Sequence, residues 1–303
     1  MKTHQRWFSL AVVCLFFAPA IAENWSGFRG DGNGSSKEKG LPATWSGDEN
    51  IVWRTPLPGY GASSPIVHRN KIFVTGYSGY GTGEGGTKGK LKLHVTCISH
   101  TNGKVIWDKS IDADTDVKNY RGFVALHGYA SQTPVTDGKA VYAFFGRSGV
   151  VAYDMGGKRL WQKSVGTGTH GFGTGASPLL IDDVLIVNAS VESGALVGFN
   201  KKTGDEIWRA RGVNSSWNTP LLVKVNGRSE VVVSMSGQIA AYDPATGKQL
   251  WKLTTGIRDY ICTSPIAHNG IIYALGGRSG QVFAIRAALL NDSPRSSNCN
   301  MSR

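Results

Sequence analysis

The chain has 303 residues, is 41% hydrophobic and 18% charged, contains 40 glycines, and carries a formal net charge of +12. It is long enough for one sizeable core and too apolar for a disordered chain. The basic excess favours anionic partners, but the lysines and arginines are scattered singly, which describes a solvated surface, and the export signal expected at the start of the chain makes nucleic acid an unexpected partner.

Lys2 and Arg6 form a basic start, Phe8 to Ala18 is a short apolar run, and Ala20-Ile21-Ala22 has the A-x-A form of a cleavage site. Residues 1–22 are therefore expected to be a signal peptide removed after Ala22, placing the mature chain in the periplasm or cell envelope. Cys14 lies mid-run without the usual lipoprotein context around it. No later apolar stretch approaches 18 residues, so no membrane span is expected. Residues 23–50 read as an N-terminal extended segment.

From Trp53 onward two signals alternate. One is Ser/Thr-Pro followed by an apolar run: Ser64-Pro65, Thr133-Pro134, Ser177-Pro178, Thr219-Pro220 and Ser264-Pro265. The other is a Gly-containing turn followed by a tryptophan, at Trp107, Trp161, Trp208 and Trp251, with Trp53 as a lone first copy. Short Val/Ile/Tyr-rich runs lie between them, so each unit reads as four strands, A to D, with the proline opening strand A and the tryptophan on strand D. Four strands per unit of roughly 40–45 residues is the period of a propeller blade. The all-β expectation is a β-propeller over residues 51–286, with about five blades readable. The five tryptophans are expected to dock one blade on the next, where matching small residues leave room for the ring.

Ala241-Tyr242-Asp243-Pro244-Ala245-Thr246-Gly247-Lys248-Gln249-Leu250-Trp251 resembles the pyrroloquinoline-quinone-type (PQQ-like) propeller repeat, A-x-D-x-x-T-G-K-x-x-W, at every specified position. The opening Asn24 to Gly32 looks like the start of exported propeller proteins of planctomycete bacteria, and the fold is similar to BamB-like periplasmic scaffolds. The resemblance implies a protein-interaction or assembly scaffold. Its alternatives are a quinone-dependent oxidoreductase or a carbohydrate-binding module. Family rings usually close with more blades, so the chain is expected to be part of a ring of about 7–8. After Ile285 the turn glycine and tryptophan do not arrive, and the non-repeat tail 287–303 reads as a truncation.

Enzyme signatures are thin. Cys97, Cys262 and Cys299 form no pair or C-x-x-C, and Cys97 and Cys262 read as small core residues. Asp112, Asp114 and Asp116 have the opening spacing of a calcium loop, but Val117 and Phe123 stand where that loop needs Gly and Glu, so a solvated loop is expected. Gly79 to Gly89 lacks the Lys-Ser/Thr and helix of a phosphate loop. No catalytic or metal residue is assigned, and no cofactor is expected, PQQ being the one the resemblance would allow. The D-to-A connections instead gather Tyr60, Tyr120, Arg121, His127, His170, Phe172, Trp217, Arg258 and Tyr260. Tyr, Trp and Arg dominate binding hot spots. This loop face is the expected site for a protein partner or an envelope glycan.

Overall fold

The computed structural model describes residues 24–30, 32, 34–81, 86–120, 122–278 and 280–286. The expected signal peptide and the tail 287–303 lie outside them.

Among the described residues five antiparallel sheets follow one another in chain order. The first holds β1 (Ile66–His68), β2 (Lys71–Ser78), β3 (Lys92–Ser99) and β4 (Val105–Asp112). The second holds β5 (Val135–Thr136), β6 (Ala140–Phe144), β7 (Val150–Asp154) and β8 (Arg159–Lys163). The third holds β9 (Leu179–Ile181), β10 (Val184–Ala189), β11 (Ala195–Asn200) and β12 (Glu206–Arg211). The fourth holds β13 (Leu221–Val225), β14 (Arg228–Met235), β15 (Gln238–Tyr242) and β16 (Gln249–Thr254). The fifth has three strands, β17 (Ile266–His268), β18 (Ile271–Gly276) and β19 (Gln281–Arg286). Each strand A starts on the residue after its proline. The proline precedes the ladder rather than opening it, because a residue without N–H contributes no ladder donor.

The central strands B and C are buried on both faces, as in Val150–Asp154 and Leu185–Ala189, because each sheet is covered by its neighbours. The covering layers come from adjacent blades: Tyr142 and Phe144 of β6, for example, pack with Leu185, Val187 and Phe199 of the third sheet.

Two devices join the blades. At the inner edge, the Ser/Thr before each proline bonds to the next blade: Ser64 N–H donates to Thr133 Oγ1 (3.1 Å), Thr133 to Ser177 Oγ, Ser177 to Thr219 Oγ1 and Thr219 to Ser264 Oγ (each 3.0 Å). Two of the four links, Thr133 to Ser177 and Ser177 to Thr219, are buried, where an unmet donor costs about 1–3 kcal/mol. The hydroxyl, not the proline alone, explains the motif.

At the outer edge sits the tryptophan clamp. Trp107, Trp161, Trp208 and Trp251 are 6–8% exposed. Each faces a small cross-strand partner, respectively Cys97, Ala152, Gly198 and Ala241, with a one-residue register shift beside it. The extra residue of the bulge precedes the tryptophan and points outward, which accounts for Ile106, Leu160 and Ile207 being 45–49% exposed. The indole then stacks on the C–D turn glycine of the following blade. Trp53 covers Gly103, Trp107 covers Gly157, Trp161 covers Gly204 and Trp208 covers Gly247, and a Cβ on any of these glycines would fall 2.5–2.9 Å from the ring. The same four glycines have φ between +69° and +88°, so both the turn and the stack exclude a side chain. The indole N–H donates to the same carbonyl of each turn: His100, Met155, Lys201 and Pro244, at 3.0–3.2 Å. Asp154, Asn200 and Asp243 stiffen three of these turns by accepting backbone N–H groups.

Trp53 departs from expectation in one respect. Its side chain makes the clamp, but residues 51–57 carry no ladder, so it docks from an extended segment rather than a strand D. Trp251 packs with Ile272, Ala274 and Ile285 of the fifth sheet, and its indole N–H donates to Glu230 Oε2 (2.7 Å) within its own blade. The turn that would follow β19 lies beyond the described residues. Within the expected extended segment 23–50, Trp25 pairs with Val67 through two 2.8 Å backbone bonds, and Ser26 O accepts from Thr136 N–H.

Candidate functional site

Each strand D leaves its blade at the end opposite the clamp turn, and the connections to the next strand A meet over one face. His170 and Phe172 come from the β8–β9 connection, Trp217 from β12–β13 and Tyr260 from β16–β17. Their rings form one cluster: His170 lies 4.9 Å from Trp217, 5.3 Å from Phe172 and 5.5 Å from Tyr260, Phe172 meets Tyr260 edge-on at 5.2 Å, and Trp217 lies 5.4 Å from Tyr260. Trp217 Nε1 donates to Gly173 O (2.8 Å), and Trp217 N–H donates to Ile261 O (2.8 Å), which ties three connections together. Gly173, at φ +70°, lets its loop approach Gly128, whose carbonyl would lie 2.8 Å from an added Cβ.

The cluster walls one side of a hollow of about 510 Å³. The other side is a 3-10 turn, Gly122–Leu126, with Phe123 and His127, and Arg278 stands at the rim. Phe123 is 71% exposed. His127 is held by Ser131, with Nδ1 and Oγ 3.1 Å apart. Burial, with the Lys118 charge second, holds the His170 imidazole below its ordinary range.

Of the nine residues expected on the loop face, His127, Phe172, Trp217 and Tyr260 line this hollow and His170 backs it. Arg121 lies outside the described residues. Tyr60 lines a neighbouring hollow of about 300 Å³ with Leu57, Val74 and Leu126, where its ring is 6.2 Å from Tyr77. Tyr120 is turned inward, 4.7 Å from Tyr129, and burial pushes its hydroxyl well above the usual range. Arg258 is exposed nearby and does not line the hollow.

One residue has no counterpart in the sequence expectations. Glu192, in the four-residue helix Ser190–Ser193 between β10 and β11, is 4% exposed. Thr174 Oγ1 donates to its Oε1, and its Oε2 has no hydrogen-bond partner among the described residues. Burial pushes the carboxyl up to about 7. Thr174 also lines the aromatic hollow, so Glu192 props the loop that carries His170 and Phe172. The signal in the sequence was an acidic residue between two largely apolar strands, at a hairpin where charge usually reaches water.

Two expectations are corrected or refined. Cys262 is exposed and lines the hollow rather than the core, because it follows the turn at Asp259 and precedes the strand; Cys97 is buried, and both are free thiols. The Asp112–Asp116 stretch is held by ion pairs: Arg147 Nε and Nη2 reach Asp114 Oδ1 and Asp116 Oδ2 at 2.8 Å each, and Lys92 holds Asp112. Among the described residues no group of three or more His, Cys, Asp or Glu side chains is placed to hold a metal.

Four blades of four antiparallel strands, joined in succession by a tryptophan over a turn glycine, and a fifth sheet packed on the last of them define a β-propeller of PQQ-like repeats. A model of the family described as outer membrane protein assembly factor BamB matches residues 43–197 and 192–288. The chain belongs to that family. Outer membrane protein assembly factor BamB of Burkholderia pseudomallei is 29% identical over 131 residues, 43% of this chain and 31% of that protein. The crystal structure of BamB from Moraxella catarrhalis superposes with a TM-score of 0.56 at 18% identity, covering 79% of this chain and 65% of that one, a likeness of fold. The chain thus spans less than two thirds of either relative. No helix among the described residues is long and apolar enough to cross a membrane.

Proposed function

We propose that this chain is an exported propeller that serves as a protein-interaction scaffold in the assembly of outer-membrane proteins, and that its loop face is the partner surface. Residues 1–22 direct export and are removed after Ala22, leaving the mature protein in the periplasm. Membership of the BamB family supports the class of role. The observation that carries the site is the convergence of His170, Phe172, Trp217 and Tyr260, from three separate connections, beside an exposed Phe123. Packing alone does not require this arrangement. The successive blades are already joined by the clamps and the hydroxyl chain, and aromatic side chains left at the surface are the anchors that protein interfaces use.

The test is genetic. Depleting the protein in its own organism should lower the amounts of β-barrel proteins in the outer membrane, and the wild-type gene should restore them. The double variant Phe123→Asp/Tyr260→Asp should fold and be exported yet fail to restore them. Full restoration by that variant would sink the loop-face reading. Unchanged barrel levels on depletion would sink the assembly role.

A further inference from the structure

The chemistry around the hollow narrows what enters it. Its walls are aromatic, but its rim is cationic. Arg278 lines the opening, and Lys118 is exposed in the β4–β5 connection, whose Val117 and Tyr120 share a small hollow with Gly168 and Thr169, the residues just before His170. Neither Lys118 nor Arg278 takes part in any ion pair among the described residues.

The surrounding loops hold almost no acid that could neutralise them. Residues 54–65, 162–178 and 209–220 contain no Asp or Glu, and residues 252–265 contain only Asp259. In the β4–β5 connection, Asp114 and Asp116 are committed to Arg147. Against the two cations stands Asp259 beside Tyr260, so the described loop face presents an apolar hollow under a net positive charge. Its volume, about 510 Å³, lies within the range of ordinary ligand pockets, roughly 300–1,000 Å³.

We propose that this hollow binds an acidic peptide segment that presents an aromatic side chain, the ring entering between Phe123 and Phe172 and the flanking carboxylates meeting Arg278 and Lys118. The proposal rests on the loop face being the partner surface and adds the chemistry of the partner. A ring edge meeting Phe172 or Tyr260 repeats the edge-on geometry those rings already use with each other, and each such pair strengthens binding by about two- to tenfold. The charges steer the approach and weaken with salt, since they sit on exposed side chains.

The test uses the full chain and fluorescein-labelled, end-capped heptapeptides in an anisotropy titration at low salt. The probes are Gly-Asp-Glu-Trp-Asp-Glu-Gly, the same peptide with Ala for Trp, and Gly-Lys-Lys-Trp-Lys-Lys-Gly. The acidic tryptophan peptide should bind at least tenfold tighter than either of the others. Phe172→Ala should weaken it about fivefold or more. Lys118→Glu/Arg278→Glu, both at exposed positions and checked for an unchanged melting curve, should reverse the preference toward the lysine peptide. Equal binding of the acidic and basic peptides, or a preference that survives the double charge reversal, would overturn the proposal. So would displacement of the acidic peptide by oligogalacturonate with no dependence on the tryptophan, which would make the hollow an anionic-glycan site. Failure of the peptide test with the genetic test intact would leave the loop face as partner surface and discard only this chemistry.

Discussion

At one end of each strand D lie the clamp turns, and at the other lie the connections that build the aromatic hollow. The clamp is repeated four times with one geometry: a tryptophan over a positive-φ glycine, its indole N–H on the same turn carbonyl. Among the described residues the hollow occurs once, from loops of unequal length, and leaves exposed rings, cations outside any ion pair and a buried carboxyl with one unpartnered oxygen. Repetition marks what every blade interface needs. The unrepeated end is free to vary, and it is where a partner can be recognised without disturbing the blade interfaces.

Breaking the repeated end should do the most damage. Trp208→Ala removes a buried indole together with its bond to Pro244 O and should lower the unfolding free energy by about 3–5 kcal/mol in a urea titration. An unchanged midpoint would mean the clamps do not hold the blades. Gly247→Ala should lose about 2 kcal/mol or more, because a Cβ there meets both a left-handed backbone and the Trp208 ring.

Glu192 tests the join between the two ends. Its carboxyl titrates near 4.5 in the unfolded chain and about 7 in the folded one, so the folded state holds the proton more tightly. Stability from this group is intact below about pH 4.5, declines as pH rises toward 7, and stays reduced above it. Glu192→Gln, which mimics the protonated group, should be more stable than wild type by about 3 kcal/mol at pH 8 and nearly equal to it at pH 4.5. A constant difference across that range would show that the carboxyl ionises freely in the fold. At the unrepeated end itself, Trp217→Ala should lose only about 1–2 kcal/mol, since the ring is half-buried and held by one bond to Gly173 O. Phe172→Ala should change stability by less than about 0.5 kcal/mol. A larger loss at Phe172 than at Trp208 would invert the comparison.

The same contrast explains what could be read from the sequence. The clamp was legible because its parts recur at fixed spacing: Gly247 and Trp251 stand four and eight residues after Asp243, and near-copies precede them. The Ser/Thr-Pro motif was visible, but its hydroxyl works on the neighbouring blade some 42–69 residues away, so its role needed the fold. Residue types in the connections pointed to His127, His170, Phe172, Trp217 and Tyr260, which meet at the hollow, and equally to Tyr60, which lines a neighbouring hollow, Tyr120, which packs on Tyr129, and Arg258, which is exposed nearby. Which loops meet depends on their backbone path, set by details such as the positive φ at Ser215 and Asp259. Glu192 left only the faint signal of an acid between two largely apolar strands, because nothing local says that a hairpin turn is capped by another blade's loop. Cys262 was misplaced because an apolar neighbour, Ile261, is buried while the next residue turns out to the surface.

The central claim is that the unrepeated end engages the partner while the repeated end only holds the blades. It is tested most directly by placing a photocrosslinking amino acid, one position at a time, at Phe123 and Tyr260 in the hollow and at Lys158 and Thr246 in the clamp turns, then irradiating living cells. The account predicts crosslinks from positions 123 and 260 to a component of the outer-membrane assembly machinery, and none from 158 and 246. Crosslinks to that machinery from the clamp turns, with the hollow silent, would contradict it.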